Sequence, residues 1–520
     1  MSSVSSILHR AVVKGDFEAI HKLMGDLILS KQGQALSSEL LRNSSLRKKY
    51  VLRFFPILQR WDYDQLISAG LDIVYKQLEQ LTLPSAISAF ACFAPEWYVI
   101  QGCRPSPGPV EIVVLTFNGE WMTHTITDGC FRSKISRHAE GNLGFNYSFV
   151  GILNTPDASG IKTMWINGTR VVCEIQNCSD SLYVDQIDDL LYLYRQAETP
   201  LDVFPDLIPK GVFELAKILS HPLKQQNNWS KCIRQENCFG AVTSASAHTT
   251  IVIPLYRLWH QFMQGHLAAF SMDSDFLSGQ IVVMYVVDDP AIEYQVLNWA
   301  RIYLHDCPYP VRIVSLVHNY GFGMACNVGV QAVHTPQVVL MNSDVMPIKP
   351  GWLQEMRHMW THNPTALVSA VLLYDDLKIQ HCGMNLAFSG TQTSPIPCNI
   401  HVMKGVHFDQ SIDRFPDTDV WNVFAMTGAL LAFNRELFLQ VGGFDPIFGR
   451  GDFEDVDFSL RWKESIGPLL ITRAAQLIHL ERQTMNVLMS DQRQWQERFN
   501  SCCALHLNQT IQQQAEDAWS

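Results

Sequence analysis

No apolar run in the sequence approaches the roughly 18 to 20 residues that a helix needs to cross a lipid bilayer. The first twenty residues lack the apolar core of a secretory signal peptide. The thirteen cysteines include no Cys-x-x-Cys pair, and their odd, scattered arrangement indicates reduced thiols rather than a disulfide framework. These absences argue against a membrane-spanning or disulfide-stabilised class, and we expect a cytoplasmic protein.

Positive charge is also scarce, because 39 Lys and Arg face 50 Asp and Glu and give a formal net charge of -11. This balance argues against nucleic acid as the main partner. One stretch differs, since residues 41–60 contain six basic residues, no acidic residue and interleaved apolar residues. It predicts either peripheral contact with the inner face of an anionic membrane or a solvated helix face packed on its neighbour.

A chain of 520 residues is long enough for several domains, and its pattern of apolar and polar residues changes along the sequence. Apolar residues at helical spacing predict a helical region over residues 1–106. Short β-branched and aromatic runs separated by turns predict a small β-sandwich over 107–180. Residues 181–247 contain helical segments and a polar stretch that we interpret as a linker, and 486–520 predict a C-terminal helix.

Between residues 248 and 485 strand and helix patterns alternate. Continuous apolar runs predict strands, and longer amphipathic runs predict helices between them, which indicates an α/β domain whose parallel or mixed sheet is covered on both faces. The predicted strands are 249–256, 281–289, 311–319 and 337–345, and the predicted helices are 259–272 and 291–307. Ligands bind beyond the carboxyl ends of strands in open sheets of this kind.

Polar and small residues follow the first three of these strands. Pro254 and Tyr256 end the first strand, and Asp288 follows the second. Asp288 there suits hydrogen bonding to a ligand, but a helix cap is the alternative. A glycine-rich segment that includes Asn319, Gly321 and Asn327 follows the third strand and permits close approach of a ligand, or forms a close-packed turn.

The fourth strand ends in Asn342 and Asp344. An aspartate at this edge of the sheet suits a hard-oxygen site for Mn²⁺ or Mg²⁺, although it is also a common turn former. Further along, Gly442-Gly443-Phe444-Asp445 precedes a cluster of carboxylates and a late histidine, namely Glu454, Asp455, Asp457 and His479. Three acids within four residues repel one another unless a cation or a ligand lies nearby, and a solvated acidic turn is the alternative.

In this order the segments over residues 248–482 resemble the inverting family 2 glycosyltransferases of the GT-A fold. The similarity is nearest to the rhamnosyl- and galactofuranosyl-type transferases of bacterial surface glycan synthesis. The resemblance implies a Rossmann-like nucleotide-sugar transferase domain preceded here by the helical region and the β-sandwich. It also implies a nucleotide-sugar donor, a glycan or lipid-linked acceptor, and Mn²⁺ or Mg²⁺.

The resemblance also assigns roles to residues. It implies that Asp455 is the general base for the acceptor hydroxyl and that Glu454 and Asp457 support it or position the acceptor. It implies that Asp344 and His479 bind the metal. It places the remaining candidates in donor binding: Pro254, Tyr256, Asp288, Asn319, Gly321, Asn327 and Asn342. Asn342 stands where the family commonly has an aspartate, which removes one negative charge from the implied metal site.

The expected activity is therefore metal-dependent, inverting transfer of a sugar to a hydroxyl group in glycan or polysaccharide biosynthesis. A nucleotidyltransferase on a similar fold is one alternative, and the acidic cluster disfavours it. An inactive transferase that binds glycans or acts as a scaffold is another, and the presence of Asp288, Asp344, Asp455 and His479 disfavours it.

Overall fold

The structure is a computed structural model. It describes residues 86–94, 96–104, 110–116, 121–126, 130–137, 143–155, 161–166, 169–171, 176–177, 183–196, 212–225, 229–411, 415, 418–480 and 490–519. The helices predicted before residue 86 and the basic stretch at 41–60 lie outside these residues. The chain divides into two compact units, Met1–Ser179 with Leu193–Thr199 and Asp180–Tyr192 with Pro200–Ser520.

The first unit contains two β-sheets. Their strands are β1 (Ala86–Ala94), β2 (Trp97–Arg104), β3 (Val110–Thr116), β4 (Trp121–Ile126), β5 (Cys130–Arg137), β6 (Leu143–Asn154), β7 (Ile161–Ile166), β8 (Thr169–Val171) and β9 (Gln176–Asn177). One sheet has the order β5-β6-β2-β1-β9 and the other β4-β3-β7-β8. Buried residues of both sheets, among them Phe90, Ile100, Ile112 and Met164, form one apolar cluster.

The prediction of helix was wrong for residues 86–104. These residues form β1 and β2, which pair in antiparallel register with Phe90 opposite Ile100. Both segments are short apolar runs, and such runs fit a strand or a buried helix equally well by periodicity alone.

The second unit is a mixed α/β structure built on an eleven-stranded sheet. Its strands, with a separate β18–β19 hairpin, are β10 (Ile233–Gly240), β11 (Thr249–Leu255), β12 (Ile281–Val287), β13 (Pro310–Leu316), β14 (Gln337–Met341), β15 (Val345–Pro347), β16 (Leu367–Leu373), β17 (Ile379–His381), β18 (Met384–Thr391), β19 (Ser394–His401), β20 (Val420–Asn422), β21 (Leu430–Asn434) and β22 (Leu469–His479).

The strand order is β10-β13-β12-β11-β14-β21-β16-β22-β15. Strands β11 to β14 are mutually parallel, whereas β21 runs antiparallel to β14. The chain therefore reverses its direction of winding between β11 and β14, where β12 and β13 lie on one side and β14 on the other. Open α/β sheets form their ligand-binding crevice at such a point.

The described helices are α1 (Tyr183–Gln196), α2 (Phe213–Gln225), α3 (His260–Ser271), α4 (Ser274–Leu277), α5 (Glu293–Tyr303), α6 (Phe322–Ala332), α7 (Trp352–His362), α8 (Phe408–Ser411), α9 (Arg435–Val441), α10 (Glu454–Ser465), α11 (Ser490–Leu507) and α12 (Gln509–Asp517). The strands and helices predicted between 249 and 345 are all present. None of the described helices combines the length and apolar character that crossing a membrane requires.

Helices cover the central sheet on both faces. Along β11, Ile251 and Ile253 point into one apolar core with residues of α3, α5 and α7, while Val252 points into the other. That second core contains residues of α6, α9 and α10. Successive side chains of a strand point to opposite faces, so two cores require the continuous apolar strands that the sequence shows.

Two predicted elements in this unit need correction. The stretch interpreted as a linker contains β10, an edge strand antiparallel to β13. None of its side chains is fully buried, which explains its polar sequence. The single predicted C-terminal helix is two helices, because Asn508 adopts an extended conformation and its side chain caps the start of α12.

We predict that Gly329→Ala lowers the melting temperature. Gly329 lies on α6, and an added Cβ would be 2.5 Å from Val252 Cγ1 and 2.9 Å from Val286 Cγ2. These branched side chains are fixed in strands, so overpacking should cost about 1–3 kcal/mol.

Gly265→Ala on α3 is the matched control. Its Cβ would meet only the flexible end of Met346, at 3.0 Å, and alanine favours a helix interior over glycine. Calorimetry should show an unchanged or higher melting temperature for this variant. An equal loss in both variants would contradict the described packing of α6.

Candidate active site

A cavity of about 590 Å³ lies beyond the carboxyl ends of β11, β12 and β14. This volume falls within the range of pockets that enclose small ligands and cofactors. Ten of the twelve residues proposed from the sequence line it: Pro254, Tyr256, Asp288, Asn319, Gly321, Asn342, Asp344, Glu454, Asp455 and His479.

Asp288 lies at one end of this cavity, directly after β12. One carboxylate oxygen accepts a hydrogen bond from the amide N–H of Tyr320 at 2.8 Å, and the other accepts from Gly321 at 3.0 Å. Burial raises the pKa of Asp288 well above its ordinary range, although these two bonds favour the charged form. The carboxylate therefore anchors the glycine-rich loop, and only its remaining lone pairs are available to a ligand.

Gly321 is the point where the loop after β13 approaches the turn before α10. Its φ is +85°, and an added Cβ would lie 2.3 Å from the carbonyl oxygen of Gly449. A side chain here would be strained and would also collide with backbone, so the position requires glycine. The Asn319 side chain accepts from the Gly321 amide at 3.1 Å and helps to fix the loop.

Asp344 and His479 meet because of strand register. In the antiparallel pair β15–β22, Val345 lies opposite His479, at the end of β22. Asp344 precedes Val345, and its Oδ1 lies 3.5 Å from His479 Nε2. The other ring nitrogen, Nδ1, lies 3.1 Å from Gln380 Oε1, which can only accept, so Nδ1 donates this hydrogen bond. Nε2 is the ring nitrogen that faces Asp344.

This pair suits a divalent cation. Asn342 also lines the cavity, and its Oδ1 is buried without a hydrogen-bond partner in the described part of the chain. No group of three His, Cys, Asp or Glu side chains suited to a metal occurs among the described residues. A pair of protein ligands of this kind is typical of Mg²⁺ sites that substrate phosphates and water complete.

Asp455 lies in the first turn of α10 and faces the cavity. Its Oδ2 accepts from the Gly428 amide at 3.1 Å, and its Oδ1 accepts from the Val456 amide at 2.8 Å. Burial raises its pKa above the ordinary value, while these backbone bonds oppose the shift. A carboxylate with a raised pKa accepts a proton more readily, which suits a general base.

Glu454 is buried beside Asp455. Burial, with the negative charges of Asp455 and Asp452, raises its pKa well above the ordinary value. Its Oε2 has no hydrogen-bond partner in the described part of the chain. Burial, with the negative charges of Glu497 and Asp455, raises the pKa of Asp452 to about 7. These surroundings favour the protonated form of Glu454, which can donate a hydrogen bond to a ligand.

Two predicted site residues lie outside the cavity lining. The Asp457 carboxylate is 2.7 Å from the Arg461 guanidinium, which in turn donates to the carbonyl oxygen of Gly443. The buried side chain of Asn327 forms two hydrogen bonds with the backbone of Phe444. Its Nδ2 donates to the Phe444 carbonyl oxygen at 2.9 Å, and its Oδ1 accepts from the Phe444 N–H at 2.9 Å. Both side chains hold the Gly443–Phe444 turn, Asn327 directly and Asp457 through Arg461.

Other cavity-lining residues were missed by the sequence reasoning: Arg257, Gln380, His401, Lys404 and Arg450. Arg450 lies in a Gly-Arg-Gly segment directly before the acidic cluster, so its position offered a signal. Gln380, His401 and Lys404 lie on β17, on β19 and in the turn that follows. Nothing in their local sequence marks these elements as part of a ligand site.

Comparisons with known proteins give limited similarity. No family model matches the sequence. The uncharacterized protein y4gI of Sinorhizobium fredii (strain NBRC 101917 / NGR234) is 27% identical over 198 residues, which cover 38% of this chain. The match spans 21% of the length of that relative.

Among solved structures, GalNAc-T7 with UDP, GalNAc and Mn²⁺ matches over 45% of this chain and 43% of its own, at 15% identity and a TM-score of 0.35. Residues 1–349 of TarS from S. aureus match over 51% and 73%, at 11% identity and 0.32. The mannosyltransferase PcManGT from Pyrobaculum calidifontis, in complex with GDP-Man and Mn²⁺, matches over 61% and 84%, at 12% identity and 0.34.

We predict that Glu454→Gln stabilises the protein increasingly as pH rises. A carboxyl with a raised folded pKa contributes stability that is complete below its unfolded pKa, near 4.5, and is lost as pH rises through its folded pKa. Glutamine does not ionise, so the variant avoids that loss. Its melting temperature should exceed that of the wild type by about 1–1.5 °C for each kcal/mol relieved, because the entropy of unfolding grows with chain length.

Calorimetry from pH 5 to 8 with EDTA measures this difference. Glu464→Gln, at an exposed position on the same helix, is the control and should show no pH-dependent gain. A gain for Glu454→Gln that does not change with pH would contradict a protonated, buried Glu454.

Proposed function

We propose that the chain is an inverting, metal-dependent glycosyltransferase of the GT-A type that uses a nucleoside diphosphate sugar. One observation carries this proposal. A single cavity at the reversal point of the sheet contains the Asp344–His479 pair, 3.5 Å apart, and also the half-buried carboxylate of Asp455. The first group suits a cation that binds a diphosphate, and the second suits a base for an acceptor hydroxyl.

The donor would lie along the carboxyl ends of β11 to β13. Pro254, Tyr256 and the loop anchored by Asp288 would contact the base and ribose, because they line the cavity at the carboxyl ends of these strands. Asp344 and His479 would hold Mn²⁺ or Mg²⁺, with the Asn342 oxygen beside them. Bound there, the cation supplies electrostatic stabilisation of the negative charge on the leaving diphosphate.

The residues of the acidic turn would act on the acceptor, for which we propose a glycan or a lipid-linked glycan. Its hydroxyl oxygen forms a bond to the anomeric carbon while the bond from that carbon to the diphosphate oxygen breaks. The hydroxyl proton passes to Asp455, and the electron pair of the broken bond leaves with the nucleoside diphosphate. A single displacement of this kind inverts the anomeric configuration.

We predict that Asp455→Asn abolishes turnover. Purified protein is incubated with UDP-, GDP- and dTDP-activated hexoses and deoxyhexoses in Mn²⁺ or Mg²⁺, and release of nucleoside diphosphate is measured. Loss of a general base should lower the rate about 10²–10⁴-fold. Asp306→Asn changes an exposed carboxylate and should leave the rate unchanged.

Near-normal turnover by Asp455→Asn would remove the base assignment. Release of pyrophosphate from a nucleoside triphosphate would instead favour a nucleotidyltransferase. Glycan binding without turnover of any donor would favour a scaffold protein.

We also predict that Asp344→Asn removes the metal dependence of nucleotide binding. UDP or GDP should raise the melting temperature of the wild type more with Mn²⁺ than with EDTA, since a ligand that binds the folded state stabilises it. In the variant the two conditions should give the same shift. A Mn²⁺-dependent shift retained in Asp344→Asn would place the cation elsewhere.

A further inference from the structure

The residues directly before α10 form a constrained loop, here called the approach loop and defined as residues 445–453. It contains two successive non-glycine residues with positive φ, Asp452 at 76° and Phe453 at 69°. Residues other than glycine rarely adopt this backbone conformation. Such backbone persists where the surrounding structure over-determines it, and it is frequent at active sites. Glu454 and Asp455 follow immediately.

Helices from both ends of the second unit contact the approach loop. On α1, the Tyr183 hydroxyl donates to the carbonyl oxygen of Ile447 at 2.7 Å, and Asp188 forms an ion pair with Arg450 at 2.8 Å. On α2, Lys224 forms an ion pair with Asp445. The loop is therefore positioned by elements far from it in sequence.

The most concentrated contact comes from α11. Asn500 is fully buried, and its Nδ2 approaches three carbonyl oxygens of the approach loop, those of Phe448 at 3.0 Å, Asp452 at 3.0 Å and Gly451. Its Oδ1 accepts from Gln496 Nε2, one helical turn earlier, at 3.0 Å. An oxygen in place of Nδ2 would face three other oxygens, so the orientation of the amide is fixed.

We propose that Asn500 is a positioning residue for the two carboxylates at the start of α10, an inference that rests on the proposed function. Its amide group binds the carbonyls of Gly451 and Asp452 at the point where the backbone turns into the helix. The place of this turn sets where the first residues of α10 lie, and with them the Asp455 contact to the Gly428 amide. The C-terminal helix α11 is thereby part of the catalytic unit.

Two substitutions of asparagine by aspartate test this role. Asn500→Asp keeps the shape of the side chain but replaces the donor by an oxygen that repels three carbonyls. Asn508→Asp is the matched control at a second buried asparagine in the same region. Asn508 Oδ1 only accepts, from the amides of Thr510 at 3.0 Å and Ile511 at 3.2 Å, and a carboxylate can accept in the same way.

Hydrogen–deuterium exchange is measured on peptides that cover residues 445–457 in the full chain. Asn500→Asp should exchange faster there than the wild type, while peptides from β11 to β14 should be unchanged. For the sugar nucleotide that the wild type turns over, kcat should fall about 10²-fold and KM should change little, because about 1 Å of misplacement costs a rate factor of this size. Asn508→Asp should match the wild type in both measurements.

Equal exchange and equal kcat in Asn500→Asp and Asn508→Asp would overturn the proposal. If Asn500→Asp does not fold, Gln496→Met provides the test, since it keeps the volume and removes only the bond that orients the Asn500 amide. Gln496→Met should also speed exchange over residues 445–457 and lower kcat, but by less than Asn500→Asp. Wild-type exchange and kcat in this variant would overturn the proposal. If the wild type turns over no donor, the proposed function fails separately, and local exchange still decides whether Asn500 fixes the start of α10.

Discussion

The site depends on the antiparallel pairing of β15 with β22. Strand β22 runs parallel to β16 and returns to the cavity edge, where its last residue, His479, lies opposite Val345. A shift of one residue in this register would turn the His479 side chain to the other face of the sheet. The pairing therefore joins two segments distant in sequence into one potential metal site.

The same cavity concentrates buried carboxylates, and their mutual repulsion is a cost that the fold must accommodate. The negative charges of Asp288 and Asp455 are stabilised by hydrogen bonds from backbone N–H groups. Around Glu454 burial dominates, together with the negative charges of Asp455 and Asp452, and raises its pKa well above the ordinary value. The environments of neighbouring acids thus differ, and enzymes assign acid and base roles through such differences. Here Asp455 is suited to accept a proton and Glu454 to keep one.

Much of this arrangement was predictable from the sequence. Apolar strands with polar residues at their carboxyl ends predicted the four parallel strands and the part of the cavity lining that follows them, because parallel strands end at the same edge of a sheet. The sequence did not show which side chains of these motifs would point away from the cavity. Asp457 and Asn327 belong to the same motifs as site residues, yet helix geometry turns one toward Arg461 and packing turns the other toward Phe444.

Long-range contacts set the other limit of prediction. The polar sequence of β10 indicated a linker, since an edge strand buries few side chains and leaves no apolar signal. The sequence around Asn500 indicated only a polar helix, and its role depends on three carbonyl groups about fifty residues away. The domain boundaries and the predicted contact of residues 41–60 with a membrane remain predictions.

The most direct test of the central claim is anomalous scattering from crystals grown with UDP or GDP and Mn²⁺. The account predicts a manganese peak between Asp344 and His479, in contact with the diphosphate, and the nucleoside beside Tyr256 and the Asp288 loop. A nucleotide bound without manganese at this pair, or bound outside the cavity, would contradict it.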